Sequence, residues 1–278
     1  MHRKIGRAPQ FLTSKRAIAL PVSFLMLFVS LTLIVSATYY VSVAKIQARG
    51  KLLNIAVAKQ NMISFENSIE SAKWSLGSSI IYHFEDSGGT FKCYPASHHI
   101  LLNVTDNHFH SIVFNSSVGR VTYELPPAEI MVYSFYMKGD RRALINQSTS
   151  STTQLHLTPS TPAPELTLTY RPLVTIAETG YTQGKPVNTL RLYIINLNAS
   201  ETITAQGEFN IKSTCTSITS NVQTYNLTYQ ITSITVKAAS DGTTDEVVLP
   251  VSSNTYGAIL RIETLTCNIK LERIQGGT

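Results

Sequence analysis

No Lys, Arg, Asp or Glu occurs between Ala17 and Ala44. Within that stretch the apolar run from Ile18 to Val35 is long enough, with its flanks, to cross a hydrocarbon layer as a helix of about 20 residues. A globular domain could use such a segment only by burying it on every side. The first expectation is therefore a single membrane-spanning helix, with the rest of the chain placed relative to a bilayer. Arg3, Lys4, Arg7, Lys15 and Arg16 precede the run, and Lys45, Arg49, Lys51 and Lys59 follow it, so charge asymmetry orients the helix only slightly.

The formal net charge of +6 is placed unevenly. Residues 1–65 hold nine Lys/Arg and no acid, whereas residues 66–278 hold 14 Lys/Arg against 17 Asp/Glu. The basicity flanks the membrane run instead of covering a folded domain, so no nucleic acid is expected as a partner. Charged residues are 14% of the chain, and 61 residues are Ser or Thr, which describes a polar, weakly charged exterior. Five Asn-x-Ser/Thr sequons, at Asn103, Asn115, Asn146, Asn198 and Asn226, are glycosylation candidates compatible with an exported domain. The expected topology is a single pass through the cell membrane, N-terminus cytoplasmic and C-terminal domain extracellular.

Beyond the run, Ile55, Ala58, Met62, Phe65, Ile69, Ala72 and Leu76 recur at spacings of three and four, a helical seam over three heptads. Lys51, Lys59, Glu66, Glu70 and Lys73 fall off it and are expected on a solvated face. One helix from 18 to 79 would be roughly 90 Å long, so half of it needs a packing partner besides lipid. That partner is either the chain's own β domain or a second helix in a coiled coil. Gly50, between the halves, is expected to weaken the helix locally.

From Ile100 the period changes to two. Strand-like runs are 100–104, 109–114, 118–125, 131–137, 166–177, 190–197, 202–212 and 258–272. The alternation at Tyr225, Leu227, Tyr229 and Ile231 shifts parity at Ile234, which predicts a bulge or bend near Ser233. These runs predict an α+β chain whose 80–278 portion is an antiparallel β-sandwich. Residues 146–165 hold nine Ser/Thr and three Pro in 20 positions and read as a long loop.

Cys215 and Cys267 share parity with apolar neighbours on strands that could adjoin, so an exported domain would pair them as a disulfide, with two buried thiols as the alternative and Cys93 left over. His83, His98, His99, His108 and His110 cluster with Glu85, Asp86 and Asp106, but no His-Glu-x-x-His or Cys-x-x-Cys spacing supports a metal site. No nucleophile-elbow or phosphate-loop motif occurs, so neither an enzyme nor a cofactor is expected.

Lys15, Arg16 and Ala17 followed by Ile18, Ala19 and Leu20 resemble the class III signal of archaeal type IV pilins, in which a basic and a small residue precede an apolar mature N-terminus. The resemblance covers the leader and about 60 further residues, and it implies cleavage between Ala17 and Ile18, leaving 1–17 as a leader. It departs from the bacterial pattern at the fifth mature position, which is Val22 instead of Glu, with Pro21 before it. It implies a non-catalytic major or minor subunit of a surface filament, packed through Ile55, Met62, Phe65, Ile69 and Leu76, with a prepilin peptidase and other pilin-like subunits as partners. Two alternatives remain open. One is a permanently anchored envelope protein resembling an archaellum stator subunit, whose β-sandwich binds the surface layer. The other is a secretory signal ending near Val35, Ser36 and Ala37.

Overall fold

A computed structural model describes residues 15–126, 133–146, 150–160 and 163–274. The chain divides into two compact units, Met1–Leu52 and Leu53–Thr278. Helix α1 (Lys15–Ala72) contributes to both, running unbroken through Gly50, two residues before the division.

The helix ends seven residues earlier than the expected 79. Lys73 N still donates to Ile69 O, but Trp74 turns to the left-handed region (φ 59°) and Gly77 follows at φ 79°. A left-handed residue ends a helix, and glycine occupies that region at least cost. Trp74 is held there without that freedom: its N–H donates to Cys267 Sγ at 3.4 Å, and its ring meets Tyr193 edge-on at 5.6 Å. Leu76 therefore leaves the seam and is 69% exposed.

Thirteen described strands follow: β1 (Ser79–Phe84), β2 (Thr90–Thr105), β3 (His110–Glu124), β4 (Phe135–Lys138), β5 (Thr153–Thr158), β6 (Glu165–Tyr170), β7 (Leu173–Thr182), β8 (Lys185–Asn198), β9 (Ile203–Gln206), β10 (Phe209–Leu227), β11 (Ser233–Ser240), β12 (Thr243–Pro250) and β13 (Ala258–Ile274). They form a five-stranded sheet, β1-β10-β13-β8-β7, and an eight-stranded one, β12-β11-β2-β3-β6-β5-β4 with β9 on β2. The class is α+β, and the β-rich portion is built of two curled sheets, half-barrels in form, where an antiparallel sandwich was expected. Long strands interrupted by bulges, such as β2 between Tyr94 and His98 and β10 between Cys215 and Ser217, coil strongly. One pairing departs from the antiparallel expectation: β13 runs parallel to β8, from Ile259 opposite Val187 to Lys270 opposite Asn198. The connection between them passes through β9 to β12, long enough to return the chain in the same direction.

Several expected boundaries move. The runs 109–114 and 118–125 join in β3, whereas 166–177 divides into β6 and β7 at Arg171 and Pro172. The run 202–212 breaks at Gly207 (φ 69°) into β9 and β10. The parity shift near Ser233 is a crossing between sheets, since β10 ends at Leu227 in one and β11 begins at Ser233 in the other. Residues 146–165 are not all loop: β5 lies inside them, and its Thr153, Leu155 and Leu157 are buried.

Both sheets contribute to two apolar clusters. One gathers Phe84, Phe91, Val121, Leu166, Phe209 and Ile269 around α1 residues from Ile55 to Ile69. The other, built on Ile100, Leu102, Leu190, Ile234 and Leu260, contains no helix residue.

Candidate functional site

In the Met1–Leu52 unit the helix shows its apolar side chains. Phe24, Leu25, Met26, Leu27, Phe28, Leu31, Leu33 and Ile34 are all more than half exposed. Among the described residues this is the one helix long and apolar enough to cross a membrane, and its length and composition suit either an anchor or a signal sequence. Three of its hydroxyls are closed within the helix: Ser30 Oγ donates to Met26 O at 2.6 Å, Thr32 Oγ1 to Phe28 O at 2.8 Å and Thr38 Oγ1 to Ile34 O at 2.8 Å. Such back-bonding removes the hydroxyl cost of entering hydrocarbon. Tyr39 and Tyr40, both exposed, follow the apolar run, where amphipathic rings suit a membrane–water boundary. Ala17 and Ile18, the expected cleavage position, fall in the first turn of α1, while leader residues 1–14 lie outside the described residues.

In the Leu53–Thr278 unit the same helix is buried. Ile55, Ala58, Met62, Phe65, Ile69 and Ala72 are 0–9% exposed, so the seam's partner is the chain's own β domain. Phe65 sits at its centre, with ring centroids 5.2 Å from Phe84, 5.7 Å from Phe91 and 6.1 Å from Tyr82. Around that aromatic nest the helix makes polar contacts that spacing alone did not indicate. Glu66, expected on a solvated face, is 0% exposed; it accepts from Lys138 Nζ and from Thr153 Oγ1 at 2.5 Å. Asn61, 4% exposed, donates to Glu85 O at 2.9 Å and accepts from Tyr82 Oη at 3.2 Å. Lys59 stacks over the Phe135 ring at 5.0 Å. A buried carboxylate needs a counter-charge and hydrogen bonds, so Glu66 ties α1 to β4 and β5.

Cys215 and Cys267 are fully buried thiols on neighbouring strands, diagonal to one another across the β10 bulge, with Sγ atoms 3.6 Å apart. Burial raises Cys267 to about 11 and Cys93, on β2, to about 12. Neither is an activated nucleophile.

The five clustered histidines disperse. His83 Nδ1 bonds Asn210 Oδ1, His99 Nε2 bonds Asn115 Oδ1, and His108 lies in the β2–β3 turn against Tyr229 instead of sharing a strand face with His110. His98 pairs with Asp241 at 2.5 Å and Ser240 at 3.0 Å. Among the described residues no three His, Cys, Asp or Glu side chains converge as metal ligands would. Of the sequon asparagines, Asn115, Asn146, Asn198 and Asn226 are exposed. Asn103 is half-buried, its Oδ1 enclosed and without a hydrogen-bond partner among the described residues.

The chain matches no protein-family model, no curated protein and no solved structure.

Proposed function

We propose that this chain is a non-catalytic surface protein that inserts through residues 18–44, loses its basic leader between Ala17 and Ile18, and then assembles through its apolar helix as a subunit of an archaeal type IV pilus-like filament. The observation that carries the reading is the contrast along one helix. Its seam from Ile55 to Ala72 is consumed by the β domain, whereas the large apolar residues from Val22 to Leu52, Val43 apart, are exposed and covered by nothing among the described residues of their own unit. Apolar surface on that scale requires either lipid or like helices around it. The internally bonded Ser30, Thr32 and Thr38 and the boundary tyrosines suit the first environment before processing. An aromatic nest that locks the second half of the helix to the head leaves the first half as the segment available to neighbours. In this reading the β domain lies outside the cell, carries glycans on its exposed sequons and forms the outer, adhesive face of the assembly.

The test is assembly itself. Leader-processed protein removed from detergent should form filaments visible by electron microscopy, and a charge at Leu27 or Leu31 should abolish them. A processed protein that stays monomeric, in cells whose surface filaments survive deletion of this chain, would rule out the major-subunit role.

A further inference from the structure

The curl of the eight-stranded sheet creates a second feature, independent of the helix. Ala143 N, in the loop after β4, donates to Asp245 Oδ2 of β12, so the two ends of that sheet meet. Between them lies a cleft of about 280 Å³, near the lower bound of roughly 300–1,000 Å³ for ligand sites, and therefore suited to one sugar-sized group. Its chemistry is cationic and polar. Arg120 of β3 brings Nε, buried and without a hydrogen-bond partner among the described residues; His156 of β5 brings Nδ1 in the same condition. Arg141 enters from the β4–β5 loop and has no carboxylate partner among the described residues. The one acid lining the cleft among the described residues, Asp241, is already engaged by His98.

The frame around these groups is rigid. Arg171, 2% exposed, donates to Asp140 Oδ1, to Arg142 O at 3.1 Å and to Ser151 O at 2.9 Å, which fixes the loop bearing Arg141. Gly139 turns into that loop at φ 77°, and a Cβ there would lie 2.1 Å from Thr153 O. Opposite, Asp241 (φ 43°) and Gly242 (φ 83°) form the tight two-residue turn of the β11–β12 hairpin. Burial pushes His156 down from its ordinary value, opposed by the Glu165 charge and aided by those of Arg120 and His98, and the neutral imidazole this favours can carry its proton on Nδ1 and donate to an anion. Thr167 and Thr243 supply hydroxyls on either side, and the Tyr136 ring lies 5.3 Å from that of His156.

The geometry points to a binding site for a carboxylate-bearing sugar residue: Arg120, Arg141 and His156 Nδ1–H take the anionic group, Thr167 and Thr243 the ring hydroxyls, and Tyr136 the apolar sugar face. An unpaired guanidinium held in a fixed frame is matched best by a planar carboxylate, which accepts two parallel N–H bonds. A free inorganic anion shares that chemistry but would leave the hydroxyls and Tyr136 unused.

Titration of the full-length protein in detergent with D-glucuronate, D-glucose and inorganic sulfate, followed by ligand-observed NMR, separates these cases. Glucuronate should saturate below about 10 mM, with glucose and sulfate at least about tenfold weaker. Arg120→Gln should weaken glucuronate about tenfold or more without moving the thermal midpoint, and Arg261→Gln, on β13 away from the cleft, should change nothing. Should Arg120→Gln misfold, Arg141→Gln on the exposed loop is expected to show the same loss. Absence of saturation, sulfate binding as tightly as glucuronate, or undiminished affinity in a folded Arg120→Gln or Arg141→Gln protein would each overturn the assignment.

Discussion

Glu66 illustrates how a single side chain can be placed by partners remote from it in sequence. Lys138 and Thr153, which donate hydrogen bonds to its carboxylate, are 72 and 87 positions away, so heptad spacing could only put it off the seam and predict solvent. Removing its counter-charge while leaving the carboxylate buried should be costly. Lys138→Met is expected to lower stability by about 2 kcal/mol, less than the 3–5 typical of a fully enclosed pair because the Lys138 side chain is 34% exposed. Chemical denaturation of the two proteins measures it, and a difference below about 0.5 kcal/mol would mean the contact is dispensable. The cysteines were better indicated, because strand parity reports the inward face directly. In protein taken from the cell exterior, non-reducing peptide mapping should find Cys215 joined to Cys267, a 52-residue separation whose closure would add about 4 kcal/mol on the chain-entropy model, with Cys93 free. A bridge to Cys93 would contradict the pairing. Asp140 gives a pH signature. Hydrogen bonds from Arg142, then Arg171, hold its carboxyl well below the ordinary range. A depressed folded value contributes stability that is fully present above the unfolded value of about 3.9 and fades as pH falls toward the folded one. Asp140→Asn should therefore lower the melting temperature at pH 7 and at pH 5 alike, with the gap closing only in stronger acid. An equal gap at all pH values would point to packing instead of charge.

At the scale of elements, the two halves of α1 should respond differently to substitution. Phe65→Ala empties the centre of the aromatic nest and should cost about 3–5 kcal/mol of head stability while leaving membrane insertion intact. A charge at Leu27 should do the reverse, costing about 2–3 kcal/mol at a bilayer centre and leaving head stability unchanged. Thermal melts together with membrane fractionation distinguish them, and an equal effect of both on the melt would contradict the division. The seam from Ile55 to Ala72 was legible because i, i+3, i+4 spacing is a local code. The end of the helix was not, since Trp74 adopts its left-handed backbone through contacts with Cys267 and Tyr193 that only the fold provides. The same limit explains β5, where Thr153, Leu155 and Leu157 alternate inward within a segment whose Ser, Thr and Pro content reads as loop. It also explains the parallel β8–β13 pairing, which depends on a connection of four intervening strands. The cleft was invisible for a related reason: Arg120, Arg141 and His156 become neighbours only when the eight-stranded sheet curls.

For the whole molecule, the account rests on one helix serving two environments in succession, lipid before processing and like helices after it. A permanently anchored envelope protein would use the same apolar surface but keep its basic arm, because Lys15 and Arg16 would hold the cytoplasmic end at the membrane boundary. A secreted protein would lose the helix's first half altogether, and the exposed apolar face with it. These three outcomes differ in the first residue of the mature chain, a quantity independent of filament morphology or expression level. Mass spectrometry of the N-terminal peptide, from protein extracted from native membranes, is the most direct test. The account predicts a chain beginning at Ile18, whereas an intact Met1, or a start at Thr38 after Ala37, would contradict it.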